Sequence, residues 1–153
     1  MDLSGGFGHV TEATRYTETM EPRDAIQTFL EGNVFAVVGA SADRQKYGNK
    51  VLRCFQQNDR EVHPVNPRGG VIEGRTAYSD LASIPDKVDG VSFITPPHVT
   101  LAVLEECAAL GIDRVWMQPG AESPEVIARA EELGFVAVTD GSCLLVVLGY
   151  REN

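Results

Sequence analysis

The stretch Gly39-Ala40-Ser41-Ala42-Asp43-Arg44-Gln45-Lys46-Tyr47-Gly48-Asn49 joins an apolar run to a segment of helical spacing. Such a junction suits an anion, because backbone N–H groups at a helix start and the helix dipole attract phosphate. Gly39 permits a tight turn or the close approach of a ligand. Ser41 offers a hydroxyl to a phosphate oxygen, and Arg44 or Lys46 offers charge. Ala40, Tyr47 and Gly48 complete the candidate set in this loop. The dinucleotide fingerprint GxGxxG is absent, because Ser41 and Arg44 occupy its second and third glycine positions. Taken alone, the stretch is also compatible with a plain strand-to-helix turn.

A second stretch, Val65-Asn66-Pro67-Arg68-Gly69, ends the next apolar run. A site for NAD usually has Asp or Glu here, accepting from the ribose 2′-hydroxyl. Arg68 follows instead, and a guanidinium pairs with a phosphorylated ribose that a carboxylate would repel. The pattern favours NADP, or a 3′-phosphorylated adenosine such as that of coenzyme A, over NAD. Asn66 between Val65 and Pro67 makes a rigid turn able to frame an adenosine. A third stretch, Thr95-Pro96-Pro97-His98, fixes its backbone with two prolines just before a helix and suits a wall against a ligand. His98 reads as an incidental exposed histidine. A fourth, Gln118-Pro119-Gly120-Ala121-Glu122, presents a side-chain amide with both donor and acceptor at a strand end.

The elements that must position these loops follow from hydrophobic periodicity. Residues 1–18 are polar and without period, and read as a loose tail before a single domain over 19–153. Residues 22–31 read as a leading helix, with Pro22 in its first turn and Gly32 after its end. Buried-type strands are predicted over 34–40, 61–67, 88–95, 112–118 and 135–140. Helices are predicted over 49–58, from Pro97 to Leu110, and from Pro124 to Gly134 with Ser123 as cap. A short helix is expected near 79–83, and the segment 141–150 reads as a sixth short strand. Alternating strands and helices imply parallel pairing by right-handed crossovers. The expected fold is α/β: a Rossmann-like, doubly wound, mainly parallel sheet of five to six strands in the order 3-2-1-4-5. In such sheets ligands bind outside the carboxyl ends of the strands, which is where all four loops lie.

Composition narrows the class. The 153 residues carry a net charge of −9, which argues against a general nucleic-acid binder. Residues 41–75 nevertheless hold seven basic residues (Arg44, Lys46, Lys50, Arg53, Arg60, Arg68, Arg75) against four acidic ones. A basic island on an acidic chain points to a small polyanionic ligand. No apolar run approaches the roughly 20 residues of a membrane span, and the N-terminus lacks the pattern of a signal peptide. A cytoplasmic location is the expectation. Cys54, Cys107 and Cys143 are too widely spaced for a disulfide framework or zinc site, and His9, His63 and His98 suggest no metal constellation. Trp116 reads as core.

In register, AVVGAS, KYGNKV, VHPVNPRG, ITPPHVTL, GIDRVWMQPGAE and DGSCLLV resemble the CoA-binding domain family. That family is akin to the N-terminal CoA-binding domain of the succinyl-CoA synthetase α subunit. The resemblance spans about residues 30–148. It implies a Rossmann-like fold and coenzyme A as ligand. Gly39, Ser41 and Lys46 would lie by its phosphates, and Val65, Asn66, Pro67 and Arg68 by its adenosine end. Thr95, Pro96 and Pro97 would contact its adenine or pantetheine, with Gln118, Pro119 and Gly120 nearby. The synthetase subunit carries its phosphorylated histidine in a second domain for which this chain has no room, so ligase chemistry is not implied. Gly141-Ser142-Cys143 lacks the proline of the family's Gly-Pro-Cys-like stretch, and Cys143 reads as an inert thiol. The expectation is therefore a non-catalytic binder of coenzyme A or an acyl-CoA, with no resident metal. Two alternatives stay open: an NADP-dependent oxidoreductase or small acyl-CoA enzyme, and an interaction protein with a vestigial nucleotide site. Neither a membrane nor nucleic acid is an expected partner. A homodimer, or an unknown protein partner, is compatible with the exposed edges of a small sheet.

Overall fold

A computed structural model of the chain describes residues 20–152; the predicted tail lies outside the described residues. Helix α1 (Pro22–Leu30) starts at a proline whose missing N–H is no loss in a first helical turn. The other elements, in chain order, are β1 (Val34–Val38), α2 (Tyr47–Gln57), β2 (Glu61–Val65), β3 (Val71–Ile72), β4 (Arg75–Thr76), β5 (Gly90–Phe93), α3 (Pro97–Leu110), β6 (Arg114–Met117), α4 (Pro124–Glu132), β7 (Val136–Val138) and α5 (Leu144–Leu148). The short helix expected near 79–83 is a single 3-10 turn, Leu81–Ser83, capped by Asp80. Helix α3 runs between Pro97 and a left-handed Gly111, as its flanking residues predict. Among the described residues, no helix is long and apolar enough to cross a membrane.

Five strands form one parallel sheet in the order β2-β1-β5-β6-β7. Period-two alternation splits their side chains between two layers. Ala36, Val38, Val91, Phe93, Val115 and Met117 face α3, α4 and the connection 81–88. Phe35, Val37 and Trp116 face α1, α2 and α5. Phe35 stacks on Phe55 with centroids 5.0 Å apart, and Phe29 lies edge-on to Trp116 at 5.4 Å. The Trp116 Nε1–H donates to the Ser142 carbonyl at 3.0 Å, so its polar atom is satisfied inside the core.

The order corrects the expected 3-2-1-4-5. The five strands, numbered along the chain, run 2-1-3-4-5 in space, so the third strand lies beside the first rather than outside the second. The physical reason is in β2 itself. Pro64 has no N–H to donate, which confines it to an edge strand. Its carbonyl instead accepts from the Tyr78 N–H, and the Asn66 N–H donates to the Tyr78 carbonyl. Tyr78 thereby occupies the outer edge of β2, and the small hairpin β3–β4 packs beside it. A doubly wound sheet of this order keeps its topological switch between β1 and β5.

The expected sixth strand is also corrected. Residues 144–148 form helix α5 and pack on α2, and Leu144 is fully buried. The Cys143 carbonyl accepts from Val146 and Val147 N–H groups, closing a helical turn where the valines alone suggest a strand.

Candidate functional site

All four candidate loops emerge at the carboxyl ends of the parallel strands, and two of them are tied together at their roots. The Gly39 and Ala40 N–H groups both donate to the Val65 carbonyl at 3.3 Å. The Asn66 amide donates to the Ala40 carbonyl at 2.8 Å and accepts from the Arg68 N–H at 2.8 Å. Asn66 thus sets the angle between the first loop and the turn carrying Arg68. Val65 offers no side chain to a ligand, because it is buried in the core.

Two glycines of the first loop are required by contact. Gly39 has φ +95°, and a Cβ there would come within 2.6 Å of the Ile94 carbonyl oxygen. A Cβ on Gly48 would come within 2.0 Å of the Gly39 carbonyl oxygen, far inside van der Waals contact. The start of α2 therefore lies directly on the end of β1. Gly48 serves the close helix–strand approach that the last glycine of a dinucleotide fingerprint provides, at a different spacing.

The Ser41 oxygen accepts from the Asp43 N–H at 3.0 Å, which leaves its hydroxyl proton available to donate outward. The Asp43 carboxylate accepts from the Gln45 N–H at 3.0 Å. Among the described residues, the N–H groups of Ser41, Ala42 and Tyr47 have no acceptor. The third loop is stiffened by a 2.8 Å hydrogen bond between the Thr95 and Thr100 hydroxyls and by Pro96 and Pro97 at the start of α3. His98 is exposed.

In the fourth loop Gln118 is buried and both ends of its amide are engaged. It donates to the Cys143 sulfur at 3.3 Å and accepts from the Leu144 N–H at 2.7 Å. Pro119 and Gly120 remain exposed at the rim, and the Gly120 N–H donates to Glu122. Cys143 is half-buried. Burial, with Cys143 nearby, raises the Cys54 thiol to about 11. Burial, with Glu106 nearby, raises Cys107 to about 12. Both are protonated thiols at neutral pH.

The basic island resolves into paired and unpaired charges. Arg44 pairs with Glu73 at 3.3 Å, Lys50 and Arg53 with Glu152 at 3.5 and 3.7 Å, and Arg75 with Glu61. Arg60 donates to the Leu30 carbonyl at 2.5 Å. Of the seven, only the side chains of Lys46 and Arg68 have neither a hydrogen-bond nor an ion-pair partner among the described residues, and both are exposed. One stands on the first loop and the other on the second. The charge expected of Arg44 is taken up by Glu73. Arg53 belongs inside the protein rather than to the island's surface: it is 4% exposed. The one sequence signal for it is the polar pair Asn49 and Arg53, four residues apart on a helix whose neighbouring inward positions are Val51, Leu52 and Phe55.

A second polar cluster lies on β2, away from the loops. His63, Glu61 and Asp86 place potential ligand atoms within 4.8 Å of one another, a grouping not visible from sequence spacing. The His63 Nε2 lies 2.9 Å from Asp86, and an Arg75 N–H lies 3.3 Å from Nδ1. A guanidinium can only donate, so Nδ1 accepts and Nε2 carries the proton that goes to Asp86. The cluster serves as a polar pin between β2, the hairpin and the connection before β5.

Comparison with known proteins agrees with this architecture. A family model described as the CoA binding domain matches residues 33–149. The ADP-forming acetate–CoA ligase I of Archaeoglobus fulgidus is 29% identical over 121 residues, which is 72% of this chain and 18% of that one. The chain spans only 11% to 19% of the length of the curated ligases it matches. A conserved hypothetical protein from Pyrococcus furiosus superposes with a TM-score of 0.71 at 38% identity, covering 76% of this chain and 99% of that one. A hypothetical protein from Pyrococcus horikoshii superposes with a TM-score of 0.77 at 26% identity, covering 84% and 90%.

Proposed function

The chain belongs to the CoA-binding domain family, and from that premise we propose that it binds coenzyme A, or an acyl-CoA, across the carboxyl ends of β2, β1, β5 and β6. The observation that carries this reading is the pair of unpartnered cations. Lys46 on the first loop meets the pyrophosphate, together with the Ser41 hydroxyl and the outward N–H groups of Ser41, Ala42 and Tyr47. Arg68 on the second loop pairs with the 3′-phosphate of the adenosine, which Asn66 and Pro67 frame. Thr95, Pro96 and Pro97 form the wall along which the rest of the coenzyme lies, and Pro119 and Gly120 form the far rim.

The site binds rather than reacts. Three polar side chains here hold the loops in place: Asn66 on Ala40, Gln118 on Leu144 and Cys143, Thr95 on Thr100. No nucleophile–base pair stands among the described residues of the four loops. The ligase activity of the matched relatives is theirs, and this domain corresponds to a small part of them.

Calorimetric titration of ligand-free protein with coenzyme A, dephospho-coenzyme A, NAD and NADP tests the reading. It predicts selective binding of coenzyme A, weakened when the 3′-phosphate is missing. Preference for NADP would replace it with a dinucleotide site and a redox role. Binding of none of the four would leave the fold without the ligand proposed here. Sedimentation of the same samples tests for a homodimer.

A further inference from the structure

Behind the first loop lies a buried polar pair that apolar packing does not require. Asn49 is fully buried and Arg53 is 4% exposed, both on the inner face of α2. Burying a guanidinium costs several kcal/mol unless it is paired and hydrogen-bonded, so its contacts identify its task. The Arg53 Nε–H donates to the Asn49 Oδ1 at 2.6 Å, and its Nη2 donates to the Arg44 carbonyl at 3.1 Å. The Asn49 amide donates to the Ser41 carbonyl at 2.9 Å and to the Glu73 carboxylate at 3.0 Å. Two carbonyls of the loop, at Ser41 and Arg44, are thus drawn inward by one side-chain pair.

A trans peptide is planar, with the C=O of one residue opposed to the N–H of the next. Drawing the Ser41 carbonyl inward turns the Ala42 N–H outward. Drawing the Arg44 carbonyl inward turns the Gln45 N–H outward, where it now meets the Asp43 carboxylate at 3.0 Å. The same pair ties the loop to the hairpin, because Glu73 also pairs with Arg44 and its carbonyl accepts from Gln56 at 3.1 Å. We propose that Asn49 and Arg53 are positioning residues of the anion-binding loop, setting its Ala42 N–H toward the ligand and its Gln45 N–H onto the Asp43 carboxylate without touching the ligand themselves. The inference rests on the coenzyme A reading for its ligand but not for its geometry.

Arg53→Met removes the donors at similar volume. Arg53→Lys keeps the charge and the fold, but its single ammonium cannot hold both Asn49 and the Arg44 carbonyl in the forked geometry. Two readouts are needed for each variant: amide hydrogen exchange and chemical shifts at Ala42 and Gln45 in ligand-free protein, and affinity for coenzyme A and dephospho-coenzyme A. The expected result is altered amides at Ala42 and Gln45 with unchanged amides in β1 and β5. Affinity for both ligands should fall equally, by about tenfold. The equal loss separates this role from that of Arg68, whose removal should discriminate between the two ligands. Unchanged Ala42 and Gln45 amides would overturn the inference. So would unchanged affinities, or a loss confined to coenzyme A. If the parent protein binds neither ligand, the coenzyme A reading fails, and the amide readout alone still decides whether Arg53 organises the loop.

Discussion

The two ends of the sheet treat charge in opposite ways. At the amino ends of the strands, two charged side chains are tied to the backbone. The Asp89 carboxylate accepts from the Asn33 and Val34 N–H groups at 2.7 and 3.0 Å, and Arg114 donates to the Thr28 carbonyl at 3.0 Å. At the carboxyl ends, Lys46 and Arg68 stand without side-chain partners among the described residues, and the N–H groups of Ser41, Ala42 and Tyr47 have no acceptor there. Buried or paired charges are committed to the fold, whereas exposed unpaired cations are free to meet an anion. The difference teaches that the seven basic residues of the island are not one patch. Five are engaged within the fold, and the other two, Lys46 and Arg68, are the ones that the proposal assigns to the ligand.

Breaking the carboxyl end outright should have the largest effect. Gly48→Ala puts a Cβ against the Gly39 carbonyl, a backbone atom that cannot swing aside. A loss of about 3 kcal/mol in stability is expected, with coenzyme A binding abolished. Denaturant unfolding and titration check both, and a variant of normal stability would remove the close approach of α2 to β1 from the account. Next in size is Arg68→Ala. Coenzyme A affinity should fall roughly 10- to 100-fold, the worth of a charge-assisted pair, while dephospho-coenzyme A affinity and the melting temperature stay nearly unchanged. Equal loss for both ligands would sink the role given to Arg68.

The amino end should respond in stability rather than binding. Burial pushes the Asp89 carboxyl up, but the Asn33 and Val34 N–H groups and the charges of Lys87 and Arg114 outweigh it, and its pKa lies below the ordinary value. A depressed carboxyl contributes stability that is complete above its unfolded pKa and fades as pH falls through its folded one. Asp89→Asn should therefore lower Tm at neutral pH, and the gap to the parent protein should close in acid with coenzyme A affinity unaffected. A pH-independent gap would contradict the charge argument. The smallest effect is expected in the middle of the sheet. The Ser92 hydroxyl is fully buried with no partner among the described residues, so Ser92→Ala should be neutral or stabilise by about 1 kcal/mol, as read by denaturant unfolding.

Much of this was legible from residue order. The alternation of Val-rich runs with helical segments is the fold, and Pro97 and Gly111 bracket α3 because one lacks an N–H and the other tolerates a left-handed turn. Pro64 was an equally physical signal: a proline inside a strand argues for an edge, and it contradicts the expected central place of β2. The valines of α5 misled because a five-residue apolar run has no period long enough to decide. The candidate loops were visible as glycine, proline and cation at strand ends. The division of the cations was not, because Arg44–Glu73 and Arg53–Glu152 join residues 29 and 99 positions apart. The inward-facing role of Asn49 likewise depends on a loop folding back over its own helix.

The most direct test of the central claim is an amide chemical-shift map of the protein titrated with coenzyme A. The account predicts shifts concentrated at residues 41–48, 66–70, 95–98 and 119–120, with the amino ends of the strands around Asn33, Asp89 and Asp113 undisturbed. Shifts centred on the amino ends, or none at saturating coenzyme, would contradict it.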